Sequence, residues 1–137
     1  MTGNLWATDL ESKIFSIVKY KAEKYLTKKY PNIRFTSSQK ATTGSTTYPV
    51  VYIHQKSMVE RGTDLEGVSI NSVRIRIQVD VYSTDLEKTA KDVQAIVLDC
   101  FKELSFKISG FPIMENGDTY FHAISVVERQ IDANDVL

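Results

Sequence analysis

Ser72-Val-Arg-Ile-Arg-Ile-Gln-Val-Asp-Val-Tyr82 alternates apolar and polar residues almost without a break. Successive side chains of a strand point to opposite sides. Val73, Ile75, Ile77, Val79 and Val81 therefore share one face, and Arg74, Arg76, Gln78, Asp80 and Tyr82 share the other. A long strand with one dry and one charged face predicts an antiparallel sheet covered on one side only. The charged face carries both signs and no reactive pairing, which points to contact rather than chemistry.

Downstream, Thr84-Asp-Leu-Glu87 has the form of a capping box, with Asp85 and Glu87 suited to the positive end of a helix. Val93, Ile96, Val97, Cys100, Phe101 and Leu104 then follow the spacing of a buried helix face. Residues 106–115 and 120–131 read as two more strands. Asn116-Gly117 between them predicts a tight type I′ hairpin, in which both residues take positive φ.

Upstream, the pattern disappears over residues 55–69. Glu60, Arg61, Asp64 and Glu66 are charged, Leu65 stands alone among them, and Gly62 and Gly67 loosen the backbone. A loop of about 14 residues is well beyond the usual 2–5 of a hairpin, and long loops tend to be functional. It is the first candidate for a partner-binding element. Residues 56–69 and the small polar segment 40–47 are expected to be mobile in the free subunit and ordered in the assembly. Tyr48-Pro-Val-Val-Tyr-Ile-His54 is apolar on both parities and reads as an inner strand; residues 33–39 read as a short edge strand with Ile33 and Phe35 inward.

At the start of the chain, Thr8-Asp-Leu-Glu11 offers another capping box. Ile14, Val18, Ala22, Tyr25 and Leu26 form the stripe of the helix that follows, and Pro31 stops it. Lys21, Lys24 and Lys28 on the opposite side read as a solvated face, since no aromatic platform interleaves them. The order α-β-β-β-α-β-β predicts a two-layer α+β fold: an antiparallel sheet of four to five strands with two amphipathic helices on one face. Residues 1–137 read as a single domain with a short polar tail at 132–137.

Composition adds bounds. Lys+Arg and Asp+Glu both number 17 in 137 residues, so the formal net charge is zero. Neither DNA nor membrane binding is favoured, since both draw on a basic excess. No apolar run resembles a signal peptide, and none approaches the roughly 20 residues of a membrane span. The single Cys100 excludes an internal disulfide framework and suits a reducing compartment; its place on an apolar helix stripe marks it as a small buried hydrophobe.

Sequence signals for chemistry are weak. His54 and His122 each lie within a strand, outside any metal-ligand spacing. The six glycines form no phosphate-binding loop, and no GxSxG elbow is present. Asp64 and Glu66 lack a third ligand nearby in sequence. The expectation is a chain with no catalytic residues and no cofactor.

Several segments together resemble a family of small tailed-phage proteins. They are Tyr48-Pro-Val-Val-Tyr-Ile-His-Gln55, Arg61-Gly-Thr-Asp-Leu-Glu-Gly67, Ile70-Asn-Ser-Val73 leading into the alternating strand, and Ala133-Asn-Asp-Val-Leu137. The family comprises tail terminators, tail completion proteins and minor capsid proteins. Lambda-type tail terminators and related tail-to-head joining proteins are similar in layout, with helices against an antiparallel sheet. The resemblance implies a non-enzymatic virion protein that forms a ring, most simply a hexamer, on the end of the tail tube. Its partners would be copies of itself, the tail tube protein and a head connector or neck protein, first in the host cytoplasm and then in the virion. A closed ring needs two different complementary patches per subunit. Arg74, Arg76, Gln78 and Asp80 are candidates for one, with Glu60, Arg61, Asp64, Leu65 and Glu66 in the loop. A head-side neck component and an unrelated α+β ligand-binding domain are the alternatives.

Overall fold

The computed structural model of the protein describes residues 5–37, 49–63 and 70–137. In chain order the elements are α1 (Leu5–Thr8), α2 (Leu10–Leu26), β1 (Arg34–Thr36), β2 (Val50–Thr63), β3 (Ile70–Ser83), α3 (Glu87–Glu103), β4 (Lys107–Met114) and β5 (Phe121–Asp132). The alternating stretch is β3, the middle strand of a five-stranded sheet of order β1-β2-β3-β5-β4. It pairs antiparallel with β2 on one side and β5 on the other along most of its length. The fold is α+β, with helices packed against the sheet.

One edge differs from expectation. β1 runs parallel to β2, with Arg34 opposite Val50 and Thr36 opposite Tyr52, so the sheet is mixed. Three residues of alternation carry no information about strand direction. A parallel pair also needs a connection of about a dozen residues or more, and the chain between Thr36 and Val50 is long enough in sequence.

Val73, Ile75, Ile77, Val79 and Val81 are all buried, facing the helices. Ile14, Val18, Ala22 and Leu26 of α2 meet them, with Ala90, Val93, Val97 and Phe101 of α3. α2 lies against β2, α3 against β3, β5 and β4, and the helices touch each other. Phe101 packs edge-to-face on Phe106 at 5.2 Å between ring centres, and the Gln94 amide donates to the Val79 carbonyl at 3.2 Å. Cys100 is buried here. Burial above all, with Glu103 and Asp99 adding and Lys21 opposing, pushes its thiol up to about 11. Tyr25, expected on the buried stripe, is instead 63% exposed; it stands one residue off the Ala22–Leu26 row and falls outside the contact.

The supposed loop at 55–63 is strand, and its physical disguise is a β-bulge. Gln55 lies opposite Ile77 but Ser57 lies opposite Arg76, so Lys56 is the extra residue and the parity of β2 inverts. Val51 and Ile53 face the helices before the bulge, and Met58 does so after it. A test for period two across this point finds nothing. Residues 56–63, expected to form a loop, pair with β3, while 40–47 and 64–69 lie outside the described residues.

The capping boxes do not form. Thr8 Oγ1 donates to the Leu5 carbonyl at 2.9 Å within the short α1, and Asp9 before α2 has a helical φ of −90° with no side-chain cap. Glu11 reaches across the layers instead, accepting the Gln55 N–H at 2.6 Å where the register of β2 shifts. α3 begins only at Glu87, after an extended Leu86 that makes no side-chain cap. Ser83 donates its hydroxyl to the Leu86 carbonyl at 2.8 Å, and Glu87 pairs with Lys91 at 3.0 Å. At α2 the cap gives way to one local bond and one tertiary one, and at α3 to the local bonds of Ser83 and Glu87.

The β4–β5 connection is also not a two-residue turn. It runs from Glu115 to Tyr120, and Ser105 is the only non-glycine with positive φ among the described residues, so Asn116 does not take the left-handed conformation. At Gly117 a Cβ would stand 2.4 Å from the Tyr120 ring, so a larger residue would require that ring to move.

Phe101 is fully buried at the centre of the helix–sheet contact. Phe101→Ala is therefore expected to lower unfolding free energy by about 3–5 kcal/mol. Urea titration followed by circular dichroism checks this; a loss under roughly 1 kcal/mol would contradict the packing described.

Candidate functional site: the helix-free face of the sheet

Residues directly opposite in a ladder share a face, so the register assigns the members of the uncovered surface. Tyr52 and His54 come from β2, Gln78, Asp80 and Tyr82 from β3, and His122 and Ile124 from β5. Tyr52 and Ile124 flank Asp80 directly. His54 and His122 are its diagonal neighbours, one on each side, a spacing that long side chains can bridge. Both do. His54 Nε2 lies 2.9 Å from Asp80 Oδ2, and His122 Nε2 lies 2.7 Å from Asp80 Oδ1. The Gln78 amide donates to both oxygens, at 3.1 and 3.2 Å.

Aromatic rings close over this centre. Tyr52 stacks on His54 and Tyr82 stacks on His122, each at 4.1 Å between ring centres, and Tyr120 meets Tyr82 edge-on at 5.6 Å. Asp80 is left 2% exposed on a face with no helix over it. Burial is the largest influence on its carboxyl and pushes the pKa up. The hydrogen bonds from His122, His54 and Gln78, with the charge of His122, outweigh burial and hold the pKa at about 2. An ionised carboxylate only accepts, so each Nε2 must carry a proton. Burial, then the charge of Asp80, then that of Glu11 push the Tyr52 phenol up.

The loop before β5 positions His122. Glu115 donates its N–H to the His122 carbonyl at 2.8 Å, and Asn116 Oδ1 accepts the His122 N–H at 3.1 Å. Asn116 Nδ2 also donates to Glu87 Oε2 at 3.3 Å, tying the loop to the start of α3. Chemically, the centre is a clasp: two imidazoles from the flanking strands close on one carboxylate of the middle strand. Each Nε2 donates to a different oxygen rather than offering a lone pair to a common point. No group that could hold a metal ion occurs among the described residues.

The other end of the face is more open. Arg74 NH1 lies 3.5 Å and Arg76 Nε 3.9 Å from the Glu128 carboxylate of β5, and both arginine side chains are 41% exposed. Arg61 lies opposite Ser72 and so shares this face, while Glu60, opposite Val73, belongs to the helix side. The Ser72 hydroxyl donates to the Arg61 carbonyl. Asp64, Leu65 and Glu66 lie outside the described residues.

The predicted patch therefore divides in two. Arg74, Arg76 and Arg61 remain together at the open end. Gln78 and Asp80 are drawn into the clasp, which corrects the expectation that Asp80 presents its charge outward. The strand reading placed each histidine correctly but considered each alone. The overlooked signal is the spacing Tyr52-Ile-His54 in β2, echoed by Tyr120-Phe-His122 where the connection enters β5; Tyr120 lies just before that strand, and the ring stacked on His122 is Tyr82. Nothing in the sequence says that both strands flank Asp80. The chain matches no protein-family model and no curated protein sequence.

Asp80→Asn keeps the shape but offers one acceptor oxygen where two are used, and is expected to destabilise the fold by about 1–3 kcal/mol. Since the folded carboxyl sits at about 2, below its ordinary 3.8, its stabilisation is complete above 3.8 and is lost as pH falls through about 2. Thermal unfolding of the two proteins should accordingly converge as the solution is acidified across that window. A constant gap would exclude Asp80 as the titrating group.

Proposed function

We propose that this chain is a non-enzymatic structural subunit of a tailed-phage virion, a tail terminator or tail completion protein. It forms a ring, most simply a hexamer, that caps the tail tube and contributes to head–tail joining. The observation that carries the reading is the one-sided sheet. Helices cover one face, and the other ends in half-exposed arginines, Arg74 and Arg76, that share a single carboxylate. The segments quoted above that resemble the phage family supply the tail as the place of assembly.

A ring built head-to-tail needs two unlike patches. The basic end of the sheet is one. The helix layer is the other: Tyr20 and Tyr25 are 65% and 63% exposed, and Tyr25 borders a groove with Ile96, Asp99, Cys100 and Glu103. Acidic groups beside an aromatic edge complement an arginine pair. Such charge matching sets register and partner choice more than affinity. Each contact is modest, and the tube, by presenting all its sites at once, closes the ring. The ring then offers its free side to the head connector.

Arg74→Glu with Arg76→Glu should leave a folded monomer by circular dichroism while blocking ring closure and yielding unfinished tails. Arg74→Gln with Arg76→Gln, which adds no repulsion against Glu128, should weaken closure in the same direction. Electron microscopy of tails made with each pair is the measurement. Tails of normal length that are capped and still join heads would refute this assignment of the contact.

A further inference from the structure

We infer that the cleft where β3, β4 and β5 meet the end of α3 is an anion site, shaped to take one carboxylate or phosphate group. The cleft has a volume of about 390 Å³ and is lined by Arg74, Ser105, Lys107, Glu128, Arg129 and Gln130. Arg129 is already committed, donating from NH1 to the Leu104 carbonyl at 2.8 Å and from NH2 to Asp135 at 3.4 Å. Arg74 is not. Its NH1 is 3.5 Å from Glu128, longer than a good charge-assisted hydrogen bond, and its Nε–H is buried with no acceptor. A buried donor without an acceptor is costly, so the half-exposed guanidinium gains by turning its Nε–H into the cleft, where an oxygen ligand can accept it.

Lys107 supplies the second cation. It lies opposite Glu128 in the β4–β5 ladder, yet it forms no ion pair among the described residues. Ser105, held at the rim by the left-handed turn that ends α3 (φ 67°), adds a neutral hydroxyl. Two cations with one carboxylate between them have capacity for one more negative group. The arginine fork recognises paired oxygens, and the lysine acts as a point charge beside it. Glu128 competes for the same donors, so occupancy is weak and sensitive to salt.

This inference deepens the assembly reading by naming what the basic end of the face takes. Its test is made on the isolated chain. Arginine side-chain N–H signals are followed by nitrogen-15 NMR at constant ionic strength, with chloride as the balancing anion. One titration uses inorganic phosphate and another uses N-acetylglutamate amide. A saturating shift of the Arg74 Nε–H is expected, weakened roughly two- to fivefold in Lys107→Gln and strengthened in Glu128→Gln. Saturation by the carboxylate shows that the cleft accepts an acidic side chain such as a neighbouring subunit would offer; saturation by phosphate alone restricts it to a free phosphate ion. A shift that stays linear and equal to that of chloride, or that ignores Lys107→Gln, would overturn the site. Rings that form without anion binding would remove the cleft and leave the assembly reading, and the converse result would do the opposite.

Discussion

The register of β3 is the constraint on which the rest of this molecule depends. Its inner row from Val73 to Val81 is buried beneath the helices, and a slip by one residue would carry Arg74 and Arg76 into that core. With both neighbours antiparallel, the same register fixes what faces outward. Asp80 comes to stand between Tyr52 and Ile124 with a histidine on each diagonal. Core packing thus decides the geometry of a polar centre that it never touches.

The bulge in β2 follows from a related demand. One extra residue lets Val51 and Ile53 face the helices near one end and Met58 do so near the other. It also changes which charged groups share a face, since Arg61 joins Arg74 and Arg76 while Glu60 goes to the helix side. Glu11 binds the Gln55 N–H at the shift, so a residue of α2 stabilises an irregularity of the sheet.

Those ends differ in physical character. Around Asp80 the charge is buried and met by three donors, a closed arrangement that joins three strands and leaves little to offer a partner. Around Glu128 the pairs are long and the arginines half exposed. Ion pairs of that kind contribute roughly 0–1 kcal/mol to stability, so little stability would be lost on rearranging them. One surface thus holds a tightly bound charge at one end and loosely paired charges at the other.

Much of the fold was legible before the structure. Period-two alternation in β3 and the helical spacing from Val93 to Leu104 are direct imprints of burial, because a side chain hidden from water must be apolar whatever its neighbours are. The two-layer α+β arrangement and the helix-free face follow from those imprints. The rest depended on partners distant in the chain. Glu11 closes no capping box because Gln55, 44 residues away, holds its carboxylate instead. The strand at 55–63 was hidden because a bulge inverts its pattern, and the direction of β1 because three residues encode none. The clasp at Asp80 required knowing that β2 and β5, which follow one another neither in sequence nor in pattern, lie on either side of β3. Periodicity records which face of an element is buried; only the assembled sheet decides which elements are neighbours, since pairing depends on the whole chain closing around one core.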